Sequence, residues 1–386
     1  MANRTVRKKK RSRVTRKATI RNHIVFLLVT TIAAIALSSI FIFPSFQTTN
    51  QKWDKRAIWI SYLDLNPLIA NNETTFQAKF EDMCQTTKDN NIDTLIVHVR
   101  AFQDAYYQSE RYPSPFYGNQ NLDYDPLKIM CEAAHRNHLK IEAWVNPYRI
   151  SYQEEQYTWF YQHVIETGYL KEEDVIKNGG EAILDPESES ARNFILAGIK
   201  EIIDHYDVDG IHFDDYFYTD GMMNHTTENQ RKQNVNQLIT KTYQMIKEKD
   251  TRFTFGISPQ GNPENALYYG AAIDEWLSEE GYVDYVMPQI YWSDQYGKDG
   301  TIMMFSNRVD FYTKLHTNPK VKLYAGLALY LCGYEVINDI GWESKNDNLK
   351  QQVEILKKKK WNGYALFDYG SMVNEKSKIE LYNLNH

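Results

Sequence analysis

The chain has 386 residues, with 44 Lys and Arg against 50 Asp and Glu, a net charge of −6 and a pI near 6.0. With 42% hydrophobic and 24% charged residues, the composition argues against a disordered body. Residues 1–22 hold ten Lys/Arg and no acid, residues 23–50 hold no charged side chain, and residues 51–386 are left with 34 basic and 50 acidic side chains, which argues against a nucleic-acid partner because phosphate contacts need a basic face.

Residues 24–43, IVFLLVTTIAAIALSSIFIF, are twenty residues without a charge. At about 1.5 Å per residue they reach roughly 30 Å, the thickness of a bilayer core. The basic block before them predicts a cytoplasmic N-terminus and an extracellular body. A cleaved signal peptide, giving a secreted protein, is the competing expectation; its apolar core is typically shorter, about 7–15 residues, and ends at small residues. This run ends Ile40-Phe41-Ile42-Phe43-Pro44 instead. The expected organisation is a basic cytoplasmic tail (1–22), a transmembrane signal-anchor helix (23–44), a linker (45–55) and a folded body (56–386). Cys84, Cys131 and Cys332 are an odd set without C-x-x-C spacing, so neither a disulfide framework nor a structural zinc site is implied.

The body alternates strand and helix eight times. Strand candidates are 57–63, 94–100, 140–146, 210–215, 252–258, 282–290, 322–329 and 363–368. Helix candidates are 74–90, 126–138, 190–206, 227–249, 264–279, 301–316, 346–360 and 374–383. This pattern predicts an α/β fold, a (β/α)₈ TIM barrel, with a long insertion after strand 3 from Ser151 to Glu189. An open doubly wound sheet is the alternative, but neither G-x-G-x-x-G nor G-x-x-x-x-G-K-[ST] occurs.

Strand alternation assigns side chains to the barrel interior. Leu95, Val97, Val99, Ile141, Ala143, Val145, Ile211 and Phe213 are expected to face the helices. His98, Arg100, Glu142, Trp144, Asn146, His212 and Asp214 are expected to face inward, joined at the strand ends by Ser258, Gln260, Gln289, Tyr291, Tyr330 and Asp368. A polar ring at one end of a barrel is unfavourable to bury and points to a polar ligand. The chain has 8 Trp, 28 Tyr and 17 Phe. Aromatics after strands, Trp144 and Trp292 among them, suit stacking on sugar rings, with Asn, Gln, Arg and His bonding hydroxyls.

Glycoside hydrolysis needs two carboxyl groups, one protonated and one ionised. Asp214 is the candidate for the ionised nucleophile or base, and Asp104 or Asp368 for the acid; Asp215, of opposite parity, is expected to support the site or bind substrate. Glu142 lies lower in its strand and reads equally as a buried structural carboxylate. Asp207 and Asp209 precede their strand and read as turn residues at the far end. His98, Arg100, Trp144, Asn146, His212, Asp215, Gln260, Gln289, Tyr291 and Trp292 are the substrate-binding candidates. No cofactor is expected. A metal-dependent deacetylase or amidohydrolase would draw His98, His212 and Asp214 around one ion, although no H-x-H or H-E-x-x-H occurs. A non-catalytic glycan-binding barrel would keep the aromatics without a carboxyl pair.

The body resembles the glycosyl-hydrolase-like 10 family of bacterial envelope proteins. The resemblance is carried by R-A-I-W-I at Arg56, D-A-Y-Y at Asp104, A-W-V-N-P-Y-R at 143–149 and L-D-P at 184–186. It continues in D-G-I-H-F-D-D-Y-F-Y at 209–218, G-I-S-P at 256–259, D-Y-V-M-P-Q-I-Y-W at 284–292 and G-Y-A-L-F-D-Y at 363–369. It implies a (β/α)₈ barrel acting on glycosidic bonds, with a bacterial cell-wall (peptidoglycan-type) or surface polysaccharide as substrate, and places the family's acidic residue at Asp214. Glu142 departs from the small or His residue expected before A-W-V-N-P.

Overall fold

Strands buried on both faces need a second layer outside and a filled space inside, and the chain supplies both by closing its sheet. The computed structural model describes residues 52–115, 122–223 and 225–386. The basic segment, the apolar span and the linker up to Gln51 lie outside the described residues. Among those described, no helix is long and apolar enough to cross a membrane.

The compact unit runs Trp53–His386. It begins with β1 (Lys55–Ile60), β2 (Thr94–Arg100) and β3 (Lys140–Val145). An insertion then adds β4 (Arg149–Ser151), β5 (Val175–Asn178) and β6 (Glu181–Leu184), a separate antiparallel sheet in the order β4-β6-β5. The chain returns with β7 (Gly210–Phe213), β8 (Thr254–Ile257), β9 (Tyr285–Val286), β10 (Lys322–Leu327) and β11 (Gly363–Leu366). Eight parallel strands close as β1-β11-β10-β9-β8-β7-β3-β2, with β1 paired to both β11 and β2. This is the closed (β/α)₈ architecture that the alternation predicts.

Differences from the predicted elements have local causes. The first strand stops at Ile60 because Asp64 accepts hydrogen bonds from the Ser61 backbone N–H and hydroxyl, starting the helix Tyr62–Ile69. The sixth strand is two residues long: Pro288 has no N–H for a ladder, and pairing resumes only as isolated bridges from Gln289 to Gln260 and Gly326. The helix expected over 264–279 is split into Pro263–Tyr268 and Ile273–Trp276, with Gly270 between them at φ +93°.

Outward residues Leu95, Val97, Val99, Ile141, Ala143, Val145, Ile211 and Phe213 enter the large core beneath the helices. A smaller cluster, including Trp59, Ile96, Trp144, Tyr285, Met287 and Tyr324, fills the barrel. Gly256 makes room for it, since a Cβ there would stand 2.1 Å from the Tyr285 ring. Through this cluster runs a chain of polar contacts. Lys55 and Thr254 donate to Glu142, and the Tyr285 hydroxyl donates to the other Glu142 oxygen at 2.6 Å. Tyr285 Oη in turn lies 2.7 Å from His212 Nδ1. With the tyrosine proton directed at Glu142, His212 Nδ1 is the donor, and Nε2 accepts from Trp59 Nε1 at 3.3 Å and faces Ser258 Oγ at 3.0 Å. Burial pushes the His212 pKa down to about 3, so the ring is neutral. Burial alone would raise Glu142, but Lys55 and the Tyr285 hydroxyl outweigh it and leave this carboxyl lowered. Glu142 is thus a structural carboxylate.

Removing Glu142 leaves Lys55 buried without its counter-charge. Glu142→Ala is expected to lower unfolding stability by about 3–5 kcal/mol. Replacing both partners with apolar residues, as in Lys55→Met with Glu142→Leu, is expected to recover much of it. Denaturant titration checks both; equal losses for the single and double variants would contradict the pairing.

Candidate active site

The C-terminal ends of the strands gather the site. β7 ends at Phe213, and the next two residues, Asp214 and Asp215, leave the sheet, so strict alternation no longer separates them. Asp214 is 3% exposed. Its Oδ2 accepts from Trp144 Nε1 at 3.2 Å and its Oδ1 from the Tyr216 backbone N–H at 3.3 Å. Burial, reinforced by the charge of Asp215, pushes the Asp214 pKa up to about 8, while Arg149 and the two N–H donors pull the other way. Asp215 is also raised by burial, but its own backbone, Gln289, Gln260 and Arg149 favour its ionised form. Gln289 Nε2 donates to Asp215 Oδ1 at 3.2 Å and to the Ser258 carbonyl at 3.0 Å. Burial therefore raises both carboxyls, and Asp214, pushed up to about 8, is the member that retains a proton most strongly. Low solvation and a neighbouring negative charge favour the neutral acid at Asp214, whereas the sequence alone suggests it as the ionised member.

Trp144 is positioned by β3 and by His98, whose ring stacks on it at 3.4 Å between centroids and 11° between planes. His98 Nδ1 accepts from the Tyr62 backbone N–H at 3.3 Å, and the Asn146 amide nitrogen lies 3.3 Å from Nε2 while donating to the Ala101 carbonyl. Burial, with Arg149 and His212 nearby, holds the His98 pKa well below the ordinary imidazole value. Four expected inward residues, His98, Trp144, Asn146 and His212, thus lie in the barrel interior. His212 sits a layer deeper, within the polar chain. Both histidines use their ring nitrogens on protein partners, so the arrangement of a metal triad with Asp214 is not formed. Among the described residues no group of three His, Cys, Asp or Glu is placed to hold a metal ion.

Arg100 is a correction. The β2–β3 register runs His98↔Trp144 and then Arg100↔Val145, so a bulge at Val99 turns Arg100 to the same side as outward-facing Val145. Its guanidinium lies 4.0 Å from the Tyr112 ring centroid and donates to Gln103 at 3.3 Å. A Cβ on Gly198, in the helix Glu189–His205, would come within 2.4 Å of Arg100 Nη1, which places the guanidinium in the layer between barrel and helix. Asp104 is also structural: its Oδ1 accepts from the backbone N–H groups of Ala101 and Phe102 at 2.9 and 3.0 Å, forming the turn after β2. Neither bond leads to Asp214. Asp368 Oδ1 caps the helix Tyr369–Met372 through the Ser371 N–H and hydroxyl. It nevertheless borders the site, since Tyr291 feels the charges of Asp215, Asp368 and Asp214 together after burial has raised its hydroxyl. Burial and Asp368 also push Asp64 up to about 6.

Around the pair, Tyr291 packs on Tyr330 and Phe367 with centroids 5.7 and 5.8 Å apart. Gln260 is held with Gln289 by the bridge between their strands. Trp292 is half-buried beside Gly261, where a Cβ would stand 2.8 Å from its ring. One participant was not singled out from sequence. Arg149, the last residue of A-W-V-N-P-Y-R, lies 4.3 Å from the Phe102 ring centroid and 4.5 Å from that of Tyr216, and its charge acts on both aspartates. Its signal was the motif itself; the turn that carries it back over the site was not readable from strand parity. The site thus brings together two buried carboxyls and one guanidinium, with aromatic walls and amide donors: a constellation suited to acid-assisted cleavage of a glycosidic bond.

Residues 54–344 match the family model described as glycosyl hydrolase-like 10. The glycosyl hydrolase YngK of Bacillus subtilis (strain 168) is 29% identical over 350 residues, covering 78% of this chain and 66% of the relative, slightly less than two thirds of its length. The glycosyl hydrolase DigH of Escherichia coli (strain K12) is 27% identical over 366 residues, covering 81% of this chain and 82% of the relative. Among solved structures, the PgaB (BpsB) glycoside hydrolase domain from Bordetella bronchiseptica superposes with a TM-score of 0.60 at 10% identity, covering 86% of this chain and 98% of that one. A glycoside hydrolase family 18 N-acetylglucosaminidase from Paenibacillus barengoltzii gives 0.51 at 12% identity, covering 86% and 99%. At these identities the structural likeness is one of fold.

Burial and the charge of Asp215 push the Asp214 pKa from 3.8 up to about 8 on folding. The folded state therefore holds the extra proton between those values, and stability falls as pH rises through that window. Asp214→Asn is expected to match the wild type in Tm below about pH 4 and to exceed it by a growing margin up to pH 8, roughly 2 °C or more at the plateau. Thermal melts across pH check this; a Tm difference independent of pH would contradict it.

Proposed function

We propose that this chain, which belongs to the glycosyl hydrolase-like 10 family, is an extracytoplasmic glycoside hydrolase that cleaves a bacterial envelope glycan with Asp214 as the general acid and Asp215 as its anionic partner. The observation that carries the assignment is the carboxyl pair at the end of β7, with Asp214 buried against Trp144 Nε1 and pushed up to about 8, and Asp215 accepting from Gln289 Nε2. A glycosidic oxygen beside Asp214 would take its proton as the C–O bond breaks. The Trp144 and Tyr216 N–H groups then stabilise the carboxylate left behind. Positive charge develops on the sugar ring at the same moment, and Asp215 is the negative group next to it. Water adds its oxygen to the anomeric carbon and returns a proton to the pair, which closes the cycle.

Tyr291, Trp292 and Trp144 offer aromatic faces, and Gln260 and Gln289 offer amides, for a sugar ring held over the pair. A peptidoglycan-type or surface polysaccharide is the proposed substrate, supported by the glycosyl-hydrolase descriptions of the relatives. The basic block and apolar span at the N-terminus support a body tethered outside the cytoplasmic membrane.

Purified peptidoglycan glycan strands, with and without stem peptides, are the test substrate. The wild type is expected to release fragments, and Asp214→Asn to do so about 10²–10⁴-fold more slowly. Equal product from both proteins would remove Asp214 from the mechanism. Because the acid form is present below its pKa, kcat is expected to fall as pH rises through about 8. A rate still rising at pH 9 would contradict the role of acid. Asp104→Asn, which alters a turn, is expected to change Tm far more than kcat.

A further inference from the structure

Beside the carboxyl pair, between the insertion sheet and the loop after β7, lies a cavity of about 410 Å³ whose lining includes Arg149, Tyr152, Glu181, Tyr216, Thr219 and Asp220. Two of these residues also belong to the catalytic centre. Tyr216 follows Asp215 and bonds Asp214 through its backbone, and Arg149 acts electrostatically on both aspartates. The cavity therefore adjoins residues that contact the carboxyl pair.

Its construction is that of a sugar site. Tyr152 and Tyr216 are 42% and 39% exposed, and with Arg149 over each ring at 5.5 and 4.5 Å their remaining surface is open to a stacking ligand. Thr219 lines the cavity, and its Oγ1 is buried and bonds to no protein atom. A buried hydroxyl without a partner is unfavourable, and a ligand hydroxyl within the cavity would satisfy it. Glu181 and Asp220 supply acceptors at the rim, and Arg149 supplies donors, the mixture that reads a polyol. The wall is fixed by backbone: Gly221, at φ +75°, lets the loop pass the insertion so closely that a Cβ would stand 2.5 Å from Asn178 Nδ2. The volume lies within the roughly 300–1,000 Å³ of small-ligand pockets, space for more than a single substituent.

We infer that this cavity is a second sugar subsite, built by the insertion after β3, which takes rings of the glycan beyond the bond being cleaved and makes a polymeric chain the substrate. The inference rests on the hydrolase assignment above, and binding separates the two. Isothermal titration of the Asp214→Asn protein with linear β-1,4-linked N-acetylglucosamine oligosaccharides, dimer to hexamer, is expected to show affinity rising with length. In that background Tyr152→Ala and the near-isosteric Thr219→Val are each expected to weaken the hexamer about ten-fold and leave the dimer unchanged. Circular dichroism and Tm establish that both variants are folded. No gain with length, equal weakening of dimer and hexamer, or no binding of any oligosaccharide would overturn the subsite. Cleavage by the wild type is read independently: glycan-strand cleavage with length-independent binding removes the subsite alone, and length-dependent binding lost in Tyr152→Ala without cleavage removes the hydrolase assignment alone.

Discussion

Two carboxyl groups on consecutive residues, taken out of water at the mouth of a barrel, share a limit on charge: in a poorly solvated site the first ionises readily and the second does not. Here the surroundings decide which is which. Arg149 acts on both, but Asp215 receives amide donors from Gln289 and Gln260, whereas Asp214 is sunk against Trp144 with 3% of its surface exposed. Two carboxyls with different surroundings thus arise from a single strand end.

That division depends on the rest of the fold through Trp144. Its indole is clamped by the His98 ring at 3.4 Å, and His98 is held by the Tyr62 backbone and Asn146. Beneath them the interior is tied by Lys55, Glu142, Tyr285 and His212, a line of polar contacts that joins β1, β3, β9 and β7. Each member has a partner, which is the condition under which a polar network in a core defines positions rather than weakening them. The depth of that network explains why Glu142, although inward-facing, is far from the chemistry: it counters Lys55 near the start of its strand.

Much of this was legible in the sequence because a strand has a period of two. The placing of Leu95, Val97, Ile141, Ala143, Ile211 and Phe213 toward the helices, and of Trp144 toward the interior, follows from alternation alone and is what the two core clusters contain, with His98 and His212 buried beside Trp144 and Tyr285. Alternation fails where the backbone departs from a regular strand. A bulge at Val99 sends Arg100 outward. Beyond Phe213 the chain has left β7, so parity could not show that Asp214 and Asp215 act together. Arg149 belongs to a small separate sheet whose pairing, β4 with β6, bridges about thirty residues of insertion and has no counterpart in local pattern. Asp104 and Asp368 were plausible acids by position, yet each has its oxygen committed to backbone N–H groups in a turn or a helix cap, a use that Asp serves in any protein.

The chemistry proposed for the pair requires that Asp214 keep its proton at neutral pH. Carbon NMR of the protein labelled at aspartate carboxyl carbons, titrated from pH 3 to 10 with Asp214→Asn as the assignment control, observes this without any substrate. One carboxyl signal titrating near pH 8, absent from the Asp214→Asn spectrum, is the expected result. If every aspartate signal has shifted to its ionised position by pH 5 in the folded protein, the account is contradicted.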